Sequence, residues 1–242
     1  MYATTETKQS KTEFTQQVEH MFGEIAPVYD FLNHVLSFGV DGIWRRKTAQ
    51  ALRVKSGASL LDIATGTGDT LKQLARLAPR KIVGVDLTQK MLDICAKKFA
   101  QQMEHGMIEL YCCSANELPF PTASFDGAAI TFGIRNFDDK PGALREIART
   151  LKPGARIAIA ELTIPKKKPF AELYKFYFTK VLPYIGGALS RNFSAYKYLP
   201  ASVAAFPSPP DFCAMMESAG FEDIYARPLT FGICMLYVGK RK

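Results

Sequence analysis

Short apolar runs alternate with amphipathic stretches from about Ser56 onward, and that alternation leaves few folds open. Ser59-Leu60-Leu61-Asp62-Ile63-Ala64 is an apolar run that stops at glycines, and the stretch after it places Leu71, Leu74, Ala75 and Ala78 at helical spacing. Lys81 to Asp86 reads as a second strand, followed by a helix with Thr88 as N-cap and Met91, Cys95 and Phe99 on one face. A third strand is expected near Ile108 to Cys113, a fourth from Phe125 to about Phe132, and a fifth from Arg156 to Leu162. Between the last two lies a helix that Asp138 or Asp139 caps and Lys152-Pro153-Gly154 stops. A final helix carries Phe212, Met215, Met216 and Ala219, with Gly220 as its stop. Two apolar runs, near Ile224 and from Cys234 to Val238, then close the sheet as an antiparallel hairpin. Strands and helices taking turns across short loops dictate an α/β fold: a mostly parallel sheet of seven strands with helices on both faces.

Residues 1–17, rich in Thr, Lys, Gln and Ser, are expected to form a flexible tail, and 18–242 a single domain. Residues 165–208 break the strand–helix rhythm and are expected to insert a helical lid. No run of 18 or more uncharged apolar residues occurs, which argues against a transmembrane helix. The first 20 residues have no apolar segment and no Arg but contain Glu6, Glu13 and Glu19, so neither a secretory nor a mitochondrial signal is expected. The five cysteines form no CxxC pair and read as reduced, consistent with a cytoplasmic protein. A net charge of +8 favours an acidic partner: nucleic acid, an anionic membrane surface or an acidic substrate.

The loop Asp62-Ile63-Ala64-Thr65-Gly66-Thr67-Gly68-Asp69 joins the first strand to the first helix of the alternation, where glycines let the backbone turn sharply and approach a ligand. Asp86, 20 residues after Gly66, ends the next strand, and a carboxylate there can bind two ribose hydroxyls. Leu71 occupies the place of the third small residue of a dinucleotide fingerprint, and Asp69 would compete with a pyrophosphate for the helix end. S-adenosyl-L-methionine has no pyrophosphate, and its cationic groups are compatible with nearby acids such as Asp62. The loop thus resembles motif I of class I methyltransferases, with Ala64 where the first glycine usually stands.

More selective segments extend that likeness. Met21-Phe22-Gly23-Glu24-Ile25-Ala26-Pro27-Val28-Tyr29-Asp30-Phe31-Leu32-Asn33 leads into Leu36-Ser37-Phe38-Gly39 and Trp44-Arg45-Arg46. Thr131-Phe132-Gly133-Ile134-Arg135-Asn136, Leu151-Lys152-Pro153-Gly154, Tyr196-Lys197-Tyr198-Leu199-Pro200, Ala219-Gly220-Phe221 and Leu229-Thr230-Phe231-Gly232-Ile233 follow. Over residues ~20–240 the chain resembles the ubiquinone/menaquinone biosynthesis C-methyltransferase family. The resemblance implies a Rossmann-like class I methyltransferase fold. It also implies an S-adenosyl-L-methionine site drawing on Gly66, Thr67, Gly68, Asp86, Ser114, Ala115 and Thr131. Ser114 stands where family members often carry Asn or Asp, and Thr131 where many carry Ser.

The reaction so implied is methylation of a ring carbon of a polyprenylated quinol, converting demethylmenaquinol to menaquinol, with benzoquinol methylation left open. No metal is expected, because a sulfonium is already activated. The ring carbon becomes nucleophilic when the adjacent hydroxyl ionises, which at pH 7 costs roughly 4 kcal/mol for a phenol of pKa ~10. Arg135 is the candidate cation that stabilises the quinolate, and Asn136 would orient the same oxygen. The alternative for Arg135 is an ion pair with Asp138 or Asp139. Tyr29 and Asp30 either close the site or staple their helix to the core; Glu161 is either a base or structural. His20, His34 and His105 show no ligand or triad spacing and read as surface groups, Cys112 and Cys113 as inert, and Trp44 as helix packing.

Two rivals are weaker. A nucleic-acid base N-methyltransferase typically carries a D/N-P-P-Y/F segment after strand four, where this chain has Gly133-Ile134-Arg135-Asn136, and no Pro-Cys dipeptide serves a cytosine C5 enzyme. Nucleic acid is therefore not the expected partner. A non-catalytic S-adenosylmethionine-binding module is disfavoured by the intact F-G-I-R-N segment. In 165–208, Phe170, Tyr174, Phe176, Tyr177, Phe178 and Tyr184 lie among Lys166, Lys167, Lys168, Lys175 and Lys180. That mixture suits either a lid that meets an anionic membrane surface or an ordinary helical subdomain. Oligomeric state is not readable.

Overall fold

The computed structural model describes residues 12–165, 168–182, 184 and 193–242. Three helices open the chain: α1 (Glu13–Ile25), α2 (Tyr29–Leu36) and α3 (Asp41–Ala51). The alternating region follows as β1 (Ser59–Ile63), α4 (Asp69–Leu74), β2 (Lys81–Asp86), α5 (Gln89–Lys98), α6 (Ala100–Glu104), β3 (Ile108–Cys112), β4 (Phe125–Thr131), α7 (Lys140–Thr150) and β5 (Leu151–Leu162). Then come α8 (Phe170–Phe176), α9 (Phe193–Ala205), α10 (Pro209–Ser218), β6 (Phe221–Leu229) and β7 (Cys234–Arg241). The seven strands form one sheet in the order β3-β2-β1-β4-β5-β7-β6. Neighbours from β3 to β5 pair in parallel, and β7 runs antiparallel to both β5 and β6. The expected fold and its closing hairpin are both present.

Burial explains why the central strands read as continuous apolar runs. Leu61, Ile63, Val83, Val85, Ala128 and Ile130 point to one face, against Leu144 and Ile147 of α7 and Phe212 and Met216 of α10. Leu60, Ile82 and Ala129 point to the other, against Trp44, Leu71, Leu92 and Cys95. Side chains alternate faces along a strand, so covering both faces makes every position apolar. A third cluster, Ile25, Leu32, Phe178, Leu182 and Val203, joins α1 and α2 to the 165–208 insertion.

The structure differs from the sequence reading in three details. The first helix starts at Glu13, not after residue 17: the Thr12 hydroxyl accepts from the Thr15 amide at 3.1 Å and caps it. Strand β5 begins at Leu151, five residues before Arg156, because Leu151 pairs with Phe125 ahead of a register shift on β4. Thr88 does precede α5, but its hydroxyl makes no capping bond; its amide donates instead to the Asp86 carboxylate at 2.9 Å. Asp139, of the two candidates, caps α7 by accepting from the Gly142 amide at 2.8 Å. Gly220 holds φ +100° at the end of α10, the left-handed stop expected there.

Candidate active site

The loops after β1, β2, β3 and β4 meet at the carboxyl edge of the sheet, where an open α/β sheet binds its ligands. Leaving β1, the backbone enters the left-handed region at Ala64 (φ +54°), Gly66 (+56°) and Gly68 (+93°). Around Gly66 nothing lies within 4 Å of where a Cβ would stand, so the loop leaves an open cradle there. Gly68 serves packing instead: a Cβ on it would lie 2.5 Å from the Phe99 ring. The Thr65 hydroxyl donates to Asp62 at 2.6 Å and braces the turn.

Asp86 is fixed from two sides. One carboxylate oxygen accepts from the Gly66 amide at 2.8 Å and the other from the Thr88 amide at 2.9 Å. The Thr88 hydroxyl and the Leu87 amide also bond this carboxylate, which holds it rigidly at the cleft wall. Burial raises the pKa of its carboxyl, against the lowering effect of the Thr88 and Gly66 amides. The Ser114 hydroxyl accepts from the Asn116 amide at 3.2 Å and shapes the turn after β3, leaving Ala115 at the cleft wall. Thr131 ends β4 with its hydroxyl on the Arg45 guanidinium at 2.9 Å and bonded to Thr70.

Gly66, Asp86, Ser114, Ala115, Thr131 and Asn136 all line one cleft, whose remaining wall includes Thr15, Val18, Glu19 and Phe22 of α1. Thr67 and Gly68 do not line it. The Thr67 hydroxyl donates to Asp30 of α2, which also receives Lys98. Asp30 thus staples the N-terminal segment to the glycine loop, while Tyr29 beside it reaches the cleft. The open cradle at Gly66 and the anchored Asp86 fit a nucleoside with a short cationic tail.

A second, larger cavity adjoins the first, about 480 Å³ against about 110 Å³. Phe22, Tyr29 and Phe132 line both, and thus form the partition between them. Its walls are mainly apolar: Met21, Ile25, Phe38, Trp44, Leu162, Tyr177, Phe178 and Leu199 among others. Trp44 packs edge-on against Phe132 and donates its indole N–H to Thr230 at 2.8 Å, so it is a packing residue and also a wall.

Arg135 lines this second cavity, and its partner is neither Asp138 nor Asp139. Its guanidinium pairs with the fully buried Glu161 at 2.8 Å, and its own amide donates to the same carboxylate at 3.2 Å. Glu161 is therefore the counter-ion of Arg135. The Arg135 Nε is buried without a hydrogen bond. Asn136 lines the smaller cleft and accepts from the Tyr198 hydroxyl at 3.0 Å, a bond that links the cleft wall to the wall of the apolar cavity. Burial raises the Tyr198 phenol, with Arg135 lowering it and Glu161 raising it.

The sequence reading gave no site role to Asp41, Arg45, Thr70 or Tyr198. Arg45 is buried, donates to Thr70 and Thr131 at 2.9 Å each, and stands 5.1 Å from the centre of the Phe132 ring. The available signals were the W-R-R and Y-x-Y-L-P segments, which name the residues without their partners. Burial pushes the Cys113 thiol up to about 12, in keeping with an inert cysteine.

Comparison with known proteins places this geometry. The model of the ubiE/COQ5 methyltransferase family matches residues 7–241. A protein of Geobacter sulfurreducens named ubiquinone/menaquinone biosynthesis C-methyltransferase UbiE is 45% identical over 232 residues, covering 95% of this chain and 90% of the relative. A demethylmenaquinone methyltransferase of Thermus thermophilus is 46% identical over 223 residues, covering 91% of this chain and all (100%) of the relative. Among solved structures, a SAM-dependent methyltransferase from Aquifex aeolicus superposes with a TM-score of 0.59 at 16% identity, covering 82% of this chain and 89% of that one. Phosphoethanolamine N-methyltransferase 2 of Haemonchus contortus, solved with S-adenosyl-L-methionine, gives 0.57 at 15%, covering 81% and 52%. The solved structures share the fold; the match along nearly the whole sequence shows that the chain belongs to the ubiE/COQ5 methyltransferase family.

Proposed function

We propose that this protein is the S-adenosylmethionine-dependent C-methyltransferase that converts demethylmenaquinol to menaquinol, acting on the head group of a membrane-borne polyprenyl quinol. The observation that carries the reading is the pair of cavities that share, among the described residues, Phe22, Tyr29 and Phe132: a smaller cleft beside Asp86 for the donor and a larger apolar one for a ring with the start of its tail.

Asp86 would hold the ribose, Gly66 and Ala115 the adenosyl portion, and the bound donor would supply an electrophilic methyl. The chain's own groups orient the acceptor. Arg135 and Arg45 border the apolar cavity as guanidinium groups, and a cation near a phenol lowers its pKa by about 1–3 units. Glu161 partly offsets the charge of Arg135 at 2.8 Å, so we assign Arg135 an oriented N–H toward the quinol oxygen as well as charge. Holding the ring against the partition supplies several kcal/mol more by positioning.

The approach to a bilayer is supported by the rim of the cavity. Phe38 (80% exposed) and Leu173 (69%) line its mouth, and Phe31, Phe176 and Phe231 are exposed too. Lys175 and Lys180 are exposed on the same insertion, and Lys166 and Lys167 lie outside the described residues. The aromatics of 165–208 divide: Phe178 is buried and Tyr174 packs on it, while Phe176 and Tyr184 face outward. Among the described residues no helix is long and apolar enough to cross a membrane, so contact would be peripheral. The deciding test supplies methyl-labelled donor with demethylmenaquinol, a demethylated benzoquinol, and RNA. Label in the naphthoquinol supports the reading; label only in the benzoquinol or in RNA overturns it.

A further inference from the structure

We infer that Asp41 and His34 form a relay that takes the proton from the quinol hydroxyl and delivers it to solvent, with Asp41 as a catalytic base and His34 as its outlet. The inference rests on the quinol reading above. Asp41 is the carboxylate among the described residues that line the apolar cavity. It is buried, at 2% exposure, at the first turn of α3. Its two oxygens differ. Oδ1 accepts from the Ser37 hydroxyl at 2.9 Å and meets the His34 Nδ1 at 3.1 Å. Oδ2 is buried with no hydrogen bond, and it is ion-paired with the Arg45 Nε at 3.5 Å. A buried carboxylate oxygen left without a donor is costly unless a ligand supplies one. A hydroxyl on the bound ring is such a donor.

His34 connects that buried oxygen with water. Its side chain is 59% exposed, and imidazole is the side chain that takes and releases a proton near neutrality. The charged groups facing the pair come from every element around it: Arg45 from α3, and Asp69 at the start of α4, whose carboxylate oxygen lies within 4.8 Å of the ligand atoms of both. Lys98 reaches Asp69 at 3.5 Å, from α5.

The chemistry needs one such path. In the overall reaction the ring loses one hydrogen and gains one methyl: a C–C bond forms, the methyl–sulfur bond breaks with its electron pair left on sulfur, and one proton is released. As the hydroxyl O–H breaks, its proton passes to Asp41 Oδ2 and the pair on oxygen is shared with the ring carbon; rotation of the protonated carboxyl then presents that proton to His34 Nδ1, which accepts it while Nε2 releases one to solvent. When the ring regains aromaticity, its C–H proton departs and the oxygen regains one. One proton per turnover therefore leaves a cavity walled by apolar groups. The Arg135 guanidinium cannot accept it, and Glu161 does not line the cavity and has both oxygens hydrogen-bonded, to the Arg135 guanidinium and amide and to the Leu162 amide.

The test uses the full chain, S-adenosylmethionine and a short-tailed demethylnaphthoquinol, in single turnovers from pH 6 to 9 and over a series of imidazole concentrations. His34→Gln lies at an exposed position, and calorimetry of donor binding together with circular dichroism checks its fold. The expected result is roughly tenfold slower transfer at pH 7 with unchanged donor affinity, recovering as imidazole rises. Asp41→Asn is expected to lose about 100-fold with no recovery by imidazole. A His34→Gln rate equal to the parent's, or a slow rate indifferent to imidazole, overturns the relay, whether or not Asp41→Asn folds. Loss of parent activity on chelation, restored by a divalent cation, would overturn it in favour of a metal on His34, Asp41 and Asp69. A parent that methylates no quinol fails the functional reading itself and is recognised before any variant is made.

Discussion

Asp62 and Arg135 each carry a charge problem that the fold solves differently. Asp62 is fully buried, with one oxygen bonded to Thr65 and the other without a partner. Burial pushes its pKa up to about 7, partly offset by the Thr65 hydroxyl and by Arg45. The folded carboxyl thus holds its proton to higher pH than the unfolded one, whose pKa is near ~3.9. Its contribution is fully present below about pH 4 and is lost as pH rises to about 7, a swing on the order of 4 kcal/mol. Asp62→Asn is expected to flatten the fall in urea midpoint between pH 5 and 8; an undiminished slope would refute the assignment. The buried charge of Arg135 is compensated by Glu161, so Arg135→Ala alone would leave a buried carboxylate uncompensated, at a cost of about 3–5 kcal/mol. The informative variant is the double change R135Q/E161Q, which is expected to fold, to bind donor normally and to turn over at least tenfold more slowly. Normal turnover would remove the electrostatic role. The Arg135–Glu161 pairing was not legible in the sequence, because the two lie 26 positions apart and periodicity carries no information about such partners. What was legible is what a local backbone demands. Gly133 in F-G-I-R-N is an instance, since a Cβ there would stand 2.4 Å from that of Ala64.

Helices α1 and α2 are the elements whose role the sequence left open. The staple reading and the closure reading both hold: Asp30 binds Thr67 and Lys98, while Thr15, Val18, Phe22 and Tyr29 wall the cleft. Asp30→Ala removes the staple without touching the cleft lining. It is expected to weaken donor binding about three- to tenfold, with thermal stability lowered by only about 1–2 kcal/mol. Unchanged donor affinity by calorimetry would detach these helices from the site. The central strands were readable as continuous apolar runs and helices α4, α5 and α7 from the spacing of their apolar residues. The start of α1 was not, because a polar first turn looks like a tail until Val18 and Ile25 are seen buried.

At the scale of the whole molecule, the proposed contact with an anionic bilayer rests on the +8 charge and on the exposed Phe31, Phe38, Leu173, Phe176 and Phe231. Co-sedimentation with vesicles is expected to be stronger for anionic than for neutral lipid and to weaken in Phe38→Ser. Equal, negligible binding to both would confine the insertion to its role as a wall. Composition made the basic charge visible, but not that Phe38, Leu173 and Thr230, far apart in sequence, line one cavity. The partition itself has a kinetic consequence. Beyond Phe22, Tyr29 and Phe132, different residues among those described bound the two cavities, so neither occupant need obstruct the other's entrance. Binding should then follow no compulsory order: S-adenosylhomocysteine should compete with the donor alone, and the methylated quinol with the acceptor alone.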